Sequence, residues 1–420
     1  MIFLLLTSTN LFAQNDPDST KEREPYPETK SFGSKLLAAP QFIIELPFKL
    51  IEGFGNFLIE GLGTGSLATQ ENLLRGNFGR FHGFYPLFNL GGRSGLTYGL
   101  GFRSKGVFTK EERFKFKGTY SAHHYQNFKI QYRAPKFQHP NLAITLLGQY
   151  RKSPWDGFYG LGNDSRESDQ VSYNPEHSHL HATGLWTVNP QWKMEFTAGY
   201  DAYNLFSGKN PRFMNDLDSI VSKFQLYPTD IRASRLWSVG GTLDYDWRNN
   251  AGQPTHGGQE IISLSYNHSS RNSDNLKFWH LTVDLRQYLE LFKQRTLGIR
   301  AMFESLDPTG NSAEIPIYLR SLLGGADNLR GYRTGRFRDN DLALISVEYR
   351  YPLLELIDGF VFLDEGRVFS NLTNDFRWRD WKYSYGGGLR VWHEDDVIVR
   401  TFLAKSKEDT RFYLEFGGSF

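Results

Sequence analysis

The amino-acid sequence predicts an all-β fold: a sixteen-stranded transmembrane antiparallel β-barrel with a short N-terminal helical segment. Three observations carry that prediction. The chain is hydrophilic, with a mean hydropathy of −0.49, yet it holds 34 Phe, 22 Tyr, 9 Trp and 41 Gly in 420 residues. From about residue 78, apolar and polar residues alternate over repeated stretches of roughly the 9–11 residues that a strand needs to cross a bilayer. The gaps between those stretches are alternately long and short.

A barrel wall shows only alternate residues to lipid, so a hydrophilic average is compatible with a membrane protein. The same composition also fits a soluble all-β protein, and the strand pattern has to decide. Beyond the first dozen residues no stretch approaches the roughly 20 apolar residues of a spanning helix. The 48 basic and 46 acidic residues leave a net charge of +2, which gives no reason to expect a nucleic-acid partner. There is no cysteine, hence no disulfide and no thiolate metal site.

In chain order, residues 1–13 (MIFLLLTSTNLFA) are expected to be a signal peptide. Ile2 to Leu6 form its apolar core and Ala13 is the last residue before cleavage. The lack of Lys or Arg before the apolar run is atypical. Residues 14–30, polar and proline-containing, read as a flexible linker. Residues 31–77 are expected to form short amphipathic helices at the periplasmic side. Leu50, Ile51, Phe54, Phe57, Leu58 and Leu62 recur there at helical spacing, and Pro40 and Pro47 break the run. Such helices would lie on the membrane surface, plug the barrel mouth or pack on the wall. Residues 78–420 are expected to form the barrel.

Strands are expected near 80–91, 96–108, 113–124, 127–135, 141–152, 177–188, 191–204 and 236–248. Eight more follow near 259–269, 277–290, 295–305, 342–353, 358–369, 383–392, 397–405 and 410–420. In Leu342–Leu354, Leu344, Ser346, Glu348 and Arg350 share one face; Ala343, Ile345, Val347, Tyr349 and Tyr351 share the other. With a periplasmic amino terminus, the long gaps 153–176, 205–235 and 306–341 all fall outside the cell. Most periplasmic gaps are short, which is the usual asymmetry of such barrels; 249–258 is intermediate. In the last stretch, Phe412, Leu414, Phe416 and Phe420 alternate on the lipid face and end on an aromatic residue. They form the expected C-terminal insertion signal.

The sixth outside gap contains Leu329, Arg330, Gly331 and Tyr332, and the second strand after it carries Phe362, Asp364 and Gly366. On these residues the chain resembles the BamA/TamA (bacterial surface antigen) superfamily of outer-membrane insertases and two-partner secretion transporters. That family has an Arg-Gly-aromatic motif in its sixth extracellular loop and an aromatic-x-Asp-x-Gly motif two strands later. The phrases FYGLGNDS at 158–165 and YDWRNNAGQPTHGG at 245–258 add lesser matches. The resemblance implies that the loop folds back into the lumen and that Arg330 pairs with acids on the wall. Pleat alternation independently puts Glu348 and Asp364 on lumen faces of neighbouring strands. A planar guanidinium can bond carboxylates on two sides. The plainer reading is a solvated loop arginine and ordinary lumen charges.

Family members usually carry periplasmic polypeptide-transport-associated (POTRA) modules of roughly 75 residues before the barrel. Residues 14–77 are too few and too helix-like for one, so a member lacking POTRA modules is expected. The resemblance further implies an integral place in a bacterial outer membrane, in contact with its lipids. It also implies periplasmic or outer-membrane protein partners, client barrel proteins and no cofactor. A passive pore or a structural subunit of an outer-membrane complex is the alternative.

No phosphate loop, zinc-protease motif or nucleotide fingerprint appears, so no enzymatic activity is expected. An outer-membrane lipase needs converging Ser, His and an acid, and the adjacent His268 and Ser269 point to opposite faces of their strand. His177, His179 and His181 share one lumen face, where they are expected to form a polar ladder rather than a metal site. The basic run Arg330, Arg333, Arg336 and Arg338 is expected at the lumen and loop tip, with lipopolysaccharide phosphates as the other candidate contact.

Overall fold

The computed structural model describes residues 82–91, 95–106, 111–270, 275–292, 294–312, 314–393 and 396–416. The expected signal peptide, linker and amphipathic helices of residues 1–77 lie outside the described residues. So do residues 417–420, which include Phe420.

The period-two stretches form strands. The first half comprises β1 (His82–Gly91), β2 (Gly95–Lys105), β3 (Arg113–Ser121), β4 (Gln126–Ala134), β5 (Leu142–Lys152), β6 (Asp156–Phe158), β7 (Val171–Thr187), β8 (Trp192–Ser207) and β9 (Ser234–Asp246). The second comprises β10 (Gly257–Ser269), β11 (Lys277–Phe292), β12 (Arg295–Pro308), β13 (Ser321–Leu323), β14 (Phe337–Asp339), β15 (Asp341–Leu354), β16 (Ile357–Phe369), β17 (Lys382–His393), β18 (Asp396–Ser406) and β19 (Thr410–Phe416). Three are three-residue pieces inside outer loops: β6, β13 and β14. The other sixteen form the wall, each antiparallel to the next; β5 pairs with β7 and β12 with β15. Among the described residues, β1 pairs only with β2 and β19 only with β18.

The wall is apolar outside and polar inside. In β16, Val361, Leu363 and Glu365 are exposed, while Phe360, Phe362, Asp364 and Gly366 are buried. In β15, Glu348 is 0% exposed and Ile345 is 39% exposed, the reverse of what water outside a soluble fold would select. Bilayer hydrocarbon around the wall accounts for that reversal, because it solvates side chains such as Ile345 and rejects charge. Phe412 and Leu414 of β19 are exposed on the same outer face.

Several strands outgrow the length needed to cross a bilayer. β7 has 17 residues and starts at Val171, six before the sequence expectation. Its first four residues, Val171 to Asn174, are all buried, on both faces of the pleat. Loop four, between β8 and β9, covers them with helix α1 (Leu217–Phe224). Ile220 of that helix packs with Phe158, Val171, Tyr173, Leu205 and Ile317. Asp216 caps α1 by accepting from the Ser219 amide at 2.9 Å, the usual N-cap bond. A second, four-residue helix α2 (Leu372–Asp375) lies between β16 and β17.

The outer loops are tied to one another. Ile317 of loop six, between β12 and β15, donates its amide to the Asp230 carbonyl of loop four at 2.9 Å. Asn163 of loop three donates to the Asp380 carbonyl of loop seven at 2.6 Å. At the opposite end, Gln253 of the β9–β10 turn reaches across to Asp358 of β16 at 2.6 Å.

If the outer face meets lipid, Leu363→Arg destabilises the barrel by about 2–4 kcal/mol near the membrane midplane. Heat-modifiability on gels should show the folded band lost at a lower temperature. An unchanged transition would mean that this face does not meet hydrocarbon.

Candidate functional site: a loop clamped inside the barrel

Loop six folds into a tongue. β13 and β14 form a short ladder, with Ser321 opposite Asp339. Between them the chain tightens around Asn328, whose side-chain oxygen accepts from the Gly324 amide at 2.8 Å. Leu323, Leu329, Tyr332 and Phe337 of the tongue pack on Leu342, Leu344 and Val368 of the wall. The tongue is therefore seated by apolar burial before any charge is counted.

That packing carries Arg330 to the wall. Its Nε and Nη2 donate to the two oxygens of Asp364 at 2.7 and 2.6 Å, a bidentate fork. Its Nη1 donates to Glu348 Oε2 at 2.9 Å. The guanidinium also lies 3.5 Å from the centre of the Phe362 ring, within cation–π range. Arg330 is 2% exposed and both acids are fully buried. Burial opposes its charge, but the hydrogen bonds and fields of Asp364 and Glu348 outweigh that and strengthen its hold on the proton.

Glu348 also accepts from Arg350 Nε at 2.9 Å and from Arg400 Nη2 at 2.8 Å. The site is thus a network of three arginines and two carboxylates spanning the tongue, β15, β16 and β18. The sequence reading put Arg350 on the same face as Glu348 without giving it a role, and missed Arg400. The signal for Arg400 was its place on a period-two stretch, but its distance in sequence from the motif hid it.

Gly331 follows with φ +83°, a left-handed conformation that favours glycine. A Cβ there would stand 3.3 Å from Lys405, Ser384 and Ser406. Its amide donates to the Tyr413 hydroxyl at 3.0 Å, and its carbonyl accepts from Ser406 Oγ at 3.0 Å. Gly386 gives Phe362 its place, since a Cβ there would lie 2.7 Å from the ring. The structure therefore brings together Leu329, Arg330, Gly331, Tyr332, Glu348, Phe362 and Asp364. Gly366 stands further along β16, beside Leu323 of the tongue.

Arg336 and Arg338 turn inward as well, whereas Arg333 is half-exposed and donates to Gln170 of loop three at 2.7 Å. Arg336 donates to Glu408 at 2.9 Å and to the Ser165 carbonyl at 2.7 Å. Arg338 donates to the Tyr173 hydroxyl and the Ile317 carbonyl, both at 2.7 Å. Arg336 and Arg338 are buried, so neither presents a surface to lipopolysaccharide phosphates.

A wall that hides its charges inside, presents apolar side chains outside and takes one long loop back into its lumen defines an integral outer-membrane type of β-barrel. Residues 107–393, well over half of the chain, match the Omp85 superfamily domain, and the chain belongs to that superfamily. BamA from Haemophilus ducreyi lacking POTRA domains 1-3 has a similar fold, with TM-score 0.61 and 16% identity over 81% of this chain and 70% of that one. CdiB from Acinetobacter baumannii and CdiB from Escherichia coli each give TM-score 0.49 and 13% identity. They are matched over 81% and 80% of this chain and 60% and 62% of their own. At such identities the likeness is one of fold. Curated proteins provide no match.

Arg330→Ala leaves Asp364 buried without its bidentate partner and takes one of three arginine bonds from Glu348, at a cost of about 3–5 kcal/mol. Arg330→Lys keeps the charge and loses the fork, so it is expected to lie between. Limited proteolysis of loop six and the heat-modifiability transition measure both. Wild-type behaviour of the Ala variant would rule out a structural role for the clamp.

Proposed function

We propose that this barrel takes part in the assembly or translocation of outer-membrane proteins, acting with partner proteins of the periplasm or outer membrane. Its substrates are then client barrel proteins. The observation that carries the reading is the clamp of Arg330 with Asp364 and Glu348 inside an Omp85 fold. Fold alone does not fix function, and the whole step from family to activity belongs to this proposal. In this reading Leu329, Arg330, Gly331 and Tyr332 set the position of loop six. Glu348, Phe362, Asp364 and Gly366 are their seat, and Phe412, Leu414, Phe416 and Phe420 form the signal for the barrel's own insertion.

The alternative is a passive pore or structural subunit. Against an unobstructed pore stand the tongue seated on the wall and the bonds joining loops three, four, six and seven. The Gln253–Asp358 contact at the other end points the same way.

Depletion of the protein, followed by quantification of the outer-membrane proteome, tests the assembly reading. The expected result is loss of a set of other barrels, with their precursors accumulating in the periplasm. An unchanged proteome would overturn it. Conductance in planar bilayers tests the alternative. The purified barrel should give no large steady conductance, and Arg330→Ala should raise it. A large, stable wild-type channel would favour the pore.

A further inference from the structure

β7 carries His177, His179 and His181 on one face of its pleat, and Leu180 between them is exposed on the opposite, outer face. Asp201 of β8 stands opposite His179 in register. Its Oδ1 lies 2.8 Å from His177 Nε2 and its Oδ2 lies 2.9 Å from His181 Nε2. The ring centres of His177 and His179 are 4.9 Å apart, and those of His179 and His181 are 4.8 Å apart. One ligand atom from each of His177, His179 and Asp201 falls within 4.8 Å of the others. A polar ladder explains the two contacts of Asp201. It leaves one fact over: His179 Nε2 is buried and has no hydrogen-bond partner, although it faces the same carboxylate.

We propose that His177, His179 and Asp201 bind a divalent transition-metal ion of the zinc class, with His181 orienting Asp201. Two imidazole nitrogens and one carboxylate oxygen form the three-ligand set of open zinc sites, leaving the fourth position to water. Imidazole donors favour zinc, copper or nickel over calcium and magnesium. Bonds of 2.0–2.1 Å in a tetrahedron put ligand atoms about 3.3 Å apart, so the 2.8 Å between His177 and Asp201 has to widen by roughly half an ångström. The wider separations, within 4.8 Å, have to close to the same spacing by side-chain rotation. His181, on the far oxygen of Asp201, is the outer partner that steadies a metal-binding carboxylate.

The surroundings hold these rings in place. Tyr203 stacks on His177 at 4.0 Å and 9°. Tyr203 also stacks on Tyr318 of loop six at 5.1 Å, and the Tyr318 hydroxyl donates to the Arg232 carbonyl at 2.6 Å. Gly199, opposite His181, makes room for it, since a Cβ there would stand 2.3 Å from the ring. Arg151 is opposite His177 in register on β5, but it is exposed, so water screens its charge from the site. An ion here ties β7 to β8 and, through the stacked rings, to loop six.

The test uses the full chain without a histidine tag, purified in detergent. It is titrated with Zn²⁺ against a chelating dye and with Cu²⁺ for electron paramagnetic resonance. One tightly held ion per barrel is expected, with Cu²⁺ hyperfine coupling from two imidazole nitrogens. His179→Asn and Asp201→Asn are expected to weaken Zn²⁺ binding by about 100-fold or more. His181→Asn is expected to weaken it by about 10- to 100-fold and to keep the two-nitrogen spectrum. His256→Asn, on an exposed turn, leaves binding unchanged. Heat-modifiable migration certifies each variant as folded, and the wild-type spectrum needs no variant. Absence of stoichiometric binding, a spectrum without imidazole coupling, or undiminished binding in folded His179→Asn and Asp201→Asn overturns the proposal.

Discussion

A guanidinium removed from water must be neutralised where it sits, and for Arg330 this fixes the relation of a loop to five strands. Asp364 has to face the lumen from β16 while Glu348 faces it from β15. The register supplies this, pairing Ser346 with Asp364 and Glu348 with Phe362. A slip of one residue would turn an acid into hydrocarbon. Together the two carboxylates carry one negative charge more than the loop arginine neutralises, and Arg350 and Arg400 complete the shell of Glu348. Next along the tongue, Gly331 takes its left-handed turn against β17 and β18 and is held by Ser406 and Tyr413. The last strands of the wall thus share in seating the loop.

Such a network is affordable because the rest of the wall needs no polar interior to stay folded. Strand-to-strand hydrogen bonds satisfy the backbone in the membrane, and outward residues such as Val361, Leu363 and Phe412 find their solvent in lipid. Charges that would be a liability in a soluble core are placed inside, where they select one position for the tongue. The apolar part of that selection is shared by Leu323, Leu329, Tyr332 and Phe337. Charge supplies orientation and apolar packing supplies adhesion, so the two contributions are not interchangeable.

The wall was legible in the sequence to within a few residues because one face meets lipid and the other meets the lumen. Each such strand alternates, as Leu342–Leu354 does. Legibility failed where both faces are covered. Val171 to Asn174 are buried throughout, so they carry no alternation and read as loop. Helix α1 and the β13–β14 ladder escaped notice for a related reason. They are short, and their stability comes from packing with distant residues such as Ile317 and Val368 rather than from local propensity. At the clamp, pleat parity identified Glu348 and Asp364. Arg400, Ser406 and Tyr413 were invisible as partners because no local pattern reports which lumen residue a returning loop will meet.

The placement of loop six also bears on where such a barrel can work. Its tongue lies against β15 and β16, with the neighbouring loops bonded to it above, and the β9–β10 turn reaches β16 from below. Passage of a folded or extended chain along the lumen would require breaking the apolar seat, the Arg330 fork and the loop-to-loop bonds together. Each of these is cooperative with the others through the same short tongue. By contrast, events at the wall's outer face leave the Arg330 fork intact, whereas β19 takes part in seating the tongue through the Tyr413 hydroxyl. A movement at the β19 edge therefore reaches the tongue through the Tyr413 hydroxyl and Gly331, the residue next to Arg330.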